Sequence, residues 1–164
     1  MVNAGAYDFR PATAADLPML GAWLREPEVR RWWGDPAHEL GLLREDLDDG
    51  RATMLIVSYE GRPFAFAQHY DVRAWPMPYF EHLPAGSRAV DVMIGEPDMM
   101  SGGHGSAFLR ELALALKGEG VPAVAIDPDP ENKRAVRAYE KAGFVIDKPI
   151  ETDEGPALLM IFRD

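Results

Sequence analysis

Met99-Met100-Ser101-Gly102-Gly103-His104-Gly105-Ser106-Ala107-Phe108 is the stretch on which the reading of this chain turns. Ahead of it lies an extended apolar run, Ala89-Val90-Asp91-Val92-Met93-Ile94. Behind it Phe108, Leu109, Leu112, Ala113 and Leu116 recur at spacings of three and four, the period of a helix with one buried face. A strand therefore passes into a helix through a glycine-rich turn. Glycine reaches positive φ without strain and lets a ligand approach the main chain closely. The first turn of a helix offers unpaired N–H groups and a partial positive charge. The stretch reads as an anion site suited to a phosphate or pyrophosphate, or else as a tight turn with no ligand. A Walker-type loop is excluded, because no Lys follows Gly105. So is a dinucleotide fingerprint, which belongs in a first βα turn; this stretch comes after two hairpin strands.

Working outward, the chain alternates extended and helical patterns. Tyr7 to Arg10 is a strand stopped by Pro11, and Thr13 with Asp16 opens a helix through Leu24 that Pro27 breaks. A short helical turn over Glu28–Trp32 ends in Trp33-Gly34. Adjacent helical residues sit about 100° apart, so Trp32 and Trp33 cannot both face one core, and one of them is expected at a surface or cleft. Asp35-Pro36 starts a third helix ending near Gly50. Ala52–Tyr59 and Pro63–Tyr70 form a hairpin. The proline- and aromatic-rich segment 71–88 reads as a lid or as an ordinary variable loop. After the glycine helix come a buried strand over Val121–Ile126, a helix capped by Asp129 with Pro130 at its first position and stopped by Gly143, and strands at Phe144–Ile146 and Ala157–Phe162 around an acidic turn. The order implies an α/β sandwich of mixed sheet and flanking helices.

Composition narrows the function. With 164 residues the chain is expected to be one domain, residues 1–164. It has no cysteine, which removes disulfides, thiolate metal sites and a cysteine nucleophile. The four histidines show no metal-ligand spacing, so no metal is expected. A net charge of -10 argues against nucleic acid and favours cationic ligands. No leader is visible at the N-terminus and no apolar run reaches the roughly 20 residues needed to span a bilayer. A cytoplasmic protein with no membrane partner, a monomer or homodimer, is the expectation.

The element order, Gly103-His104-Gly105, and above all Asp127-Pro128-Asp129-Pro130-Glu131-Asn132-Lys133-Arg134-Ala135-Val136-Arg137-Ala138-Tyr139-Glu140-Lys141-Ala142-Gly143-Phe144 resemble the GNAT superfamily of acyl-CoA-dependent N-acetyltransferases. Trp32-Trp33-Gly34, Ala65-Phe66-Ala67-Gln68, Ala89-Val90-Asp91, Asp127-Pro128 and Glu154-Gly155-Pro156-Ala157 look like the aminoglycoside 6′-N-acetyltransferases within it. The resemblance implies a single α/β (α+β) domain with a mixed, largely antiparallel sheet flanked by helices. It also implies acetyl-CoA as co-substrate and transfer to a primary amine of a cationic small molecule, an aminoglycoside 6′-amine. A siderophore-type hydroxylysine, another polyamine, or a non-catalytic acyl-CoA-binding module stand as alternatives. Where the family's glycine pattern usually begins with Gln or Arg, this chain has Met100.

On that resemblance the main chain of Ser101, Gly102, Gly103, His104, Gly105 and Ser106 would hold the diphosphate, and Asn132 the pantetheine arm. Tyr139 would be the acid that protonates the departing thiolate. A protonated amine must lose a proton before it attacks, and a nearby carboxylate serves that purpose. Asp91 is the candidate, because a carboxylate within an apolar strand is costly unless it is paired or faces a cleft. Asp127, at the carboxyl end of the next strand, lies where open α/β sheets gather ligands; with Glu154, Trp32 and Trp33 it is read as substrate-binding. Lys133, Arg134 and Arg137 read as a solvated helix face, and His69 and the His104 ring as structural.

Overall fold

The computed structural model describes residues 5–164; residues 1–4, part of the terminus searched for a leader, lie outside the described residues. Its elements are β1 (Tyr7–Pro11), α1 (Leu17–Leu24), α2 (Pro27–Trp33), α3 (Pro36–Asp49), β2 (Ala52–Tyr59), β3 (Arg62–Asp71), β4 (Arg88–Ile94), α4 (His104–Gly118), β5 (Val124–Ile126), α5 (Lys133–Ala142), β6 (Phe144–Thr152) and β7 (Gly155–Phe162). The strands follow the order β1-β2-β3-β4-β5-β7-β6 in one sheet. β1 with β2, β5 with β7 and β6 with β7 are antiparallel, and β4 with β5 is parallel. This is the mixed α/β architecture expected from the element order, mostly antiparallel as the family resemblance implied. The chain packs as two compact units: one through His69 with Val92–His104, the other Tyr70–Asp91 with Gly105–Asp164.

In the first unit, Leu20, Trp23 and Leu24 of α1 pack with Val29, Leu43, Met54, Ile56, Phe66 and Met93. Pro27 does end α1, but it also opens α2, where a missing N–H costs nothing. Thr13 and Asp16 form the expected capping box around a 3-10 turn, Ala14–Asp16. Arg10 grips the nearly buried Asp16 carboxylate through two N–H groups at 2.9 and 2.7 Å. That pairing is the first cause holding the Asp16 carboxyl below its usual range. The Trp23 indole N–H donates to Glu96 Oε2 at 2.7 Å, and its ring lies against the main chain of Gly95.

In the second unit, Val72, Phe80, Leu83, Ala89, Ala125, Leu159 and Ile161 are among the core residues. α4 buries Phe108, Leu109, Leu112, Ala113 and Leu116, as its sequence period requires. Several boundaries differ from the sequence reading; β7, for one, begins at Gly155 rather than Ala157. β5 begins at Val124 rather than Val121, because residues 121–122 finish the preceding helix instead. Val121 N–H donates to Leu116 O at 3.1 Å, and Lys117 Nζ donates to Pro122 O at 2.8 Å. α5 begins at Lys133, not Glu131, and its cap is Asn132 rather than Asp129. Asp129 spends its carboxylate on the Glu131 N–H at 2.9 Å, closing a separate turn. β6 continues to Thr152 across a register shift between Ile146 and Lys148, where the sequence pattern ended at Ile146. Gly143 terminates α5 at φ +113, as expected.

A β-carbon at Gly95 would stand 2.0–2.5 Å from Trp23 ring atoms, and that ring is 3% exposed and fixed by Glu96. Gly95→Ala is expected to cost about 3 kcal/mol of stability by overpacking. Differential scanning calorimetry should show Tm lower by roughly 6–12 °C for a domain of this size.

Candidate active site: a cluster of carboxylates and tyrosines

The parallel pairing of Ala89 with Ala125 sets the site. Asp91 stands two residues beyond that pair within β4, and Asp127 is the first residue after β5; the two carboxyls act on each other electrostatically. Both are half-buried. Burial, then the Asp91 charge, push the Asp127 carboxyl up to about 8, with Glu154 adding a smaller push and the Asp127 backbone N–H opposing. Near neutrality Asp127 therefore tends to hold its proton.

Three tyrosines share this field. Tyr139, two turns into α5, is raised well above the ordinary phenol range by desolvation and then by Asp91 and Asp127. Tyr70, at the end of β3, is raised by burial, Asp91, Asp127, Tyr79 and Glu154. Tyr79 is pushed up to about 12 by desolvation and then by Asp127, Asp153, Asp91 and Glu154. All three phenols keep their protons at neutral pH. Glu154 is exposed on the β6–β7 turn. Thr152 sets that turn: its hydroxyl donates to Gly155 O at 2.8 Å and accepts the Glu154 N–H at 3.1 Å.

Asp91, Asp127, Glu154 and Tyr139, chosen from sequence, thus act on one another electrostatically. Tyr70 and Tyr79 were missed. The signal was the aromatic-rich segment, which singled out a loop and no individual residue. Nor is that loop an open lid. Val72 N–H donates to Ser87 O at 3.0 Å, and the Arg73 guanidinium clasps Phe80 O and Leu83 O at 3.1 and 2.9 Å. His82 Nε2 meets Asp147 Oδ2 at 2.9 Å, beside the β6 register shift. The segment is a tied wall.

The glycine turn has the form expected of it. Gly102 and Gly103 hold φ +93 and +88. A β-carbon at either would meet nothing within 4 Å, so open space lies before the main chain just where α4 begins. Left-handed glycines at a helix start, with main-chain donors and no side chain in the way, fit a diphosphate. The ring of His104 is engaged by the first unit: its Nδ1 lies 2.8 Å from the Tyr7 hydroxyl. Asn132 Oδ1 accepts the Ala135 N–H at 3.2 Å, which makes this residue a helix cap first. Trp33 packs edge-on against Phe66, ring centroids 6.3 Å apart, while Trp32 lies under the Arg31 guanidinium at 4.8 Å. Both tryptophans are partly covered, each by a different neighbour. Among the described residues no group of three or more His, Cys, Asp or Glu is placed to hold a metal ion, and no helix is long and apolar enough to cross a membrane.

The family model of the acetyltransferase (GNAT) domain matches residues 12–152. The chain belongs to the GNAT acetyltransferases. Within this family it is similar to the aminoglycoside N(6′)-acetyltransferase type 1 of Klebsiella pneumoniae, at 30% identity over 93% of this chain and 80% of that protein. Two solved structures of AAC(6′)-Ib share the fold. The complex with ribostamycin and coenzyme A gives a TM-score of 0.86 at 28% identity, covering 96% of this chain and 93% of that one. The complex with coenzyme A and kanamycin gives 0.84 at 29%, covering 94% and 93%.

The raised Asp127 carboxyl has a stability signature. Folded, it titrates at about 8; unfolded, at about 4. Between those values the folded protein keeps a proton that the unfolded chain has lost, so stability falls as pH rises from about 4 to about 8. Asp127→Asn removes that loss. Its Tm is expected to exceed that of the wild type by several degrees at pH 9, with the gap closing toward pH 4; thermal melts across this range read it directly.

Proposed function

We propose that residues 1–164 act as one acetyl-CoA-dependent N-acetyltransferase domain that acylates a primary amine of a cationic small molecule, an aminoglycoside 6′-amine. The observation that carries this reading is the Asp91–Asp127 pair, whose charge repulsion a bound ammonium relieves, beside a tyrosine that keeps its proton. A cytoplasmic protein, monomer or homodimer, without nucleic-acid or membrane partners is part of the same proposal. It is supported by the charge of -10 and the absence of cysteine.

Acetyl-CoA supplies an acetyl group activated as a thioester, together with a thiolate leaving group. The main chain of Ser101, Gly102, Gly103, His104, Gly105 and Ser106 would hold its diphosphate, and Asn132 would order the start of α5 beside the pantetheine arm. The net negative charge does not oppose this, because aligned N–H groups act within one helical turn whereas distant charges are screened. Asp91 and Asp127 bind the ammonium and draw off its proton; with Asp127 near 8, the pair is matched to an amine as proton acceptor. Since the two carboxyls interact, the accepting group is the pair rather than either residue. Tyr139 holds its proton at Oη for the departing sulfur. Glu154, Tyr70 and Tyr79 line the same field and receive the remaining amino and hydroxyl groups of the substrate; Trp32 and Trp33 are assigned to substrate contact on the family resemblance.

The test follows free thiol on mixing the protein with acetyl-CoA and kanamycin, ribostamycin or spermidine. Thiol release with the aminoglycosides is expected, and none above hydrolysis would end the proposal. Release with spermidine alone would move the substrate to linear polyamines. Tyr139→Phe is expected to lower kcat by about 100-fold or more, the lower range for a lost acid, with both KM values nearly unchanged. Asp91→Asn should lower kcat and raise the aminoglycoside KM while leaving the acetyl-CoA KM alone.

A further inference from the structure

His104 is an unusual residue to find at the start of a helix beside an anion-binding turn, because its ring is built into the protein. It follows two left-handed glycines, Gly102 and Gly103, and is the first residue of α4. Its Nδ1 lies 2.8 Å from the hydroxyl of Tyr7, itself 7% exposed. Around it stand the rings of Tyr59, Phe64 and Tyr7, with centroids at 4.8, 5.5 and 6.0 Å and interplanar angles of 63°, 60° and 89°. These edge-on contacts come from β1, β2 and β3, so one imidazole ties the helix start to three strands. Met100, at the other end of the turn, packs partly buried against the first unit's core. The turn is therefore gripped at both ends, while its glycines face open space.

Glycines at positive φ leave a loop with large conformational entropy, which a ligand must otherwise remove on binding. We propose that the Tyr7–His104 hydrogen bond, held in its aromatic cage, is a positioning device that pre-orders the glycine turn for the diphosphate of the acyl carrier. The inference rests on the acetyltransferase reading and deepens it. His104 acts through its side chain on its own backbone, so it is a positioning residue and not a ligand through its ring. Its loss weakens carrier binding without touching the amine site.

Tyr7→Phe, His104→Phe and the double variant test this. Each single change strips one partner from a partly buried hydrogen bond, whereas the double change leaves an apolar cage of similar shape, which restores stability. Calorimetric titration with coenzyme A should give a Kd about 5- to 10-fold higher in both single variants. It should remain high in the double variant even as its Tm recovers, and the Kd for kanamycin should stay within 2-fold throughout. Hydrogen exchange at amides 101–106 of the unliganded protein should be faster in every variant. An unchanged coenzyme A Kd in Tyr7→Phe would overturn the proposal. So would a Kd that recovers together with Tm in the double variant, or an equal loss of kanamycin affinity. If the wild type binds no coenzyme A, it is the acetyltransferase reading that fails. The exchange rates then still decide the clamp, since rates at 101–106 unaltered by Tyr7→Phe exclude it.

Discussion

Like-charge repulsion between two carboxyl groups, Asp91 within β4 and Asp127 just past the end of β5, is the constraint around which the second unit is arranged. The parallel pairing of Ala89 with Ala125 brings these two chain segments side by side. Partial burial then raises the cost of ionising both. An apolar pair at these positions would make a more stable sheet. The destabilisation is local to these two carboxyl groups. Tyrosine is the polar residue suited to this neighbourhood, since repulsion only strengthens its hold on the phenolic proton. Three of them stand there.

The proposed anion site relies on a different physical device. The glycine turn uses neither lysine nor arginine, and an added cation would compete with the chain's general preference for positive ligands. Main-chain dipoles avoid that conflict because they act only at contact range. Their weakness is that a glycine backbone must be held in place by something else. Tyr7, Tyr59, Phe64 and His104 form that support in the first unit.

Much of this was legible in the sequence where local chemistry and tertiary need agree. The helix face of α4, the Gly143 stop and the hairpin of β2 and β3 all follow from periodicity and turn chemistry. Asp91 stood out because a charge in an apolar strand demands a reason. The misreadings occurred where two local solutions compete. Asp129 and Asn132 both suit a helix cap, and only the turn that Asp129 closes on Glu131 decides for Asn132. Val121 suits a strand until the preceding helix claims its N–H. Tyr79 was hidden for another reason: a tyrosine in a loop carries no periodic signal. Tyr70, the last residue of a predicted strand, showed nothing to set it apart, and the carboxyls that act on both come from far away in the chain.

The clasp formed by Arg73 holds the wall loop through the carbonyl oxygens of Phe80 and Leu83, groups that every amino acid possesses. The support is therefore indifferent to which side chains the intervening residues carry. Side chains on the exposed side of this loop can therefore be exchanged while its path and the buried Phe80 and Leu83 beneath it remain as they are. Variation is tolerated here with little burden on folding.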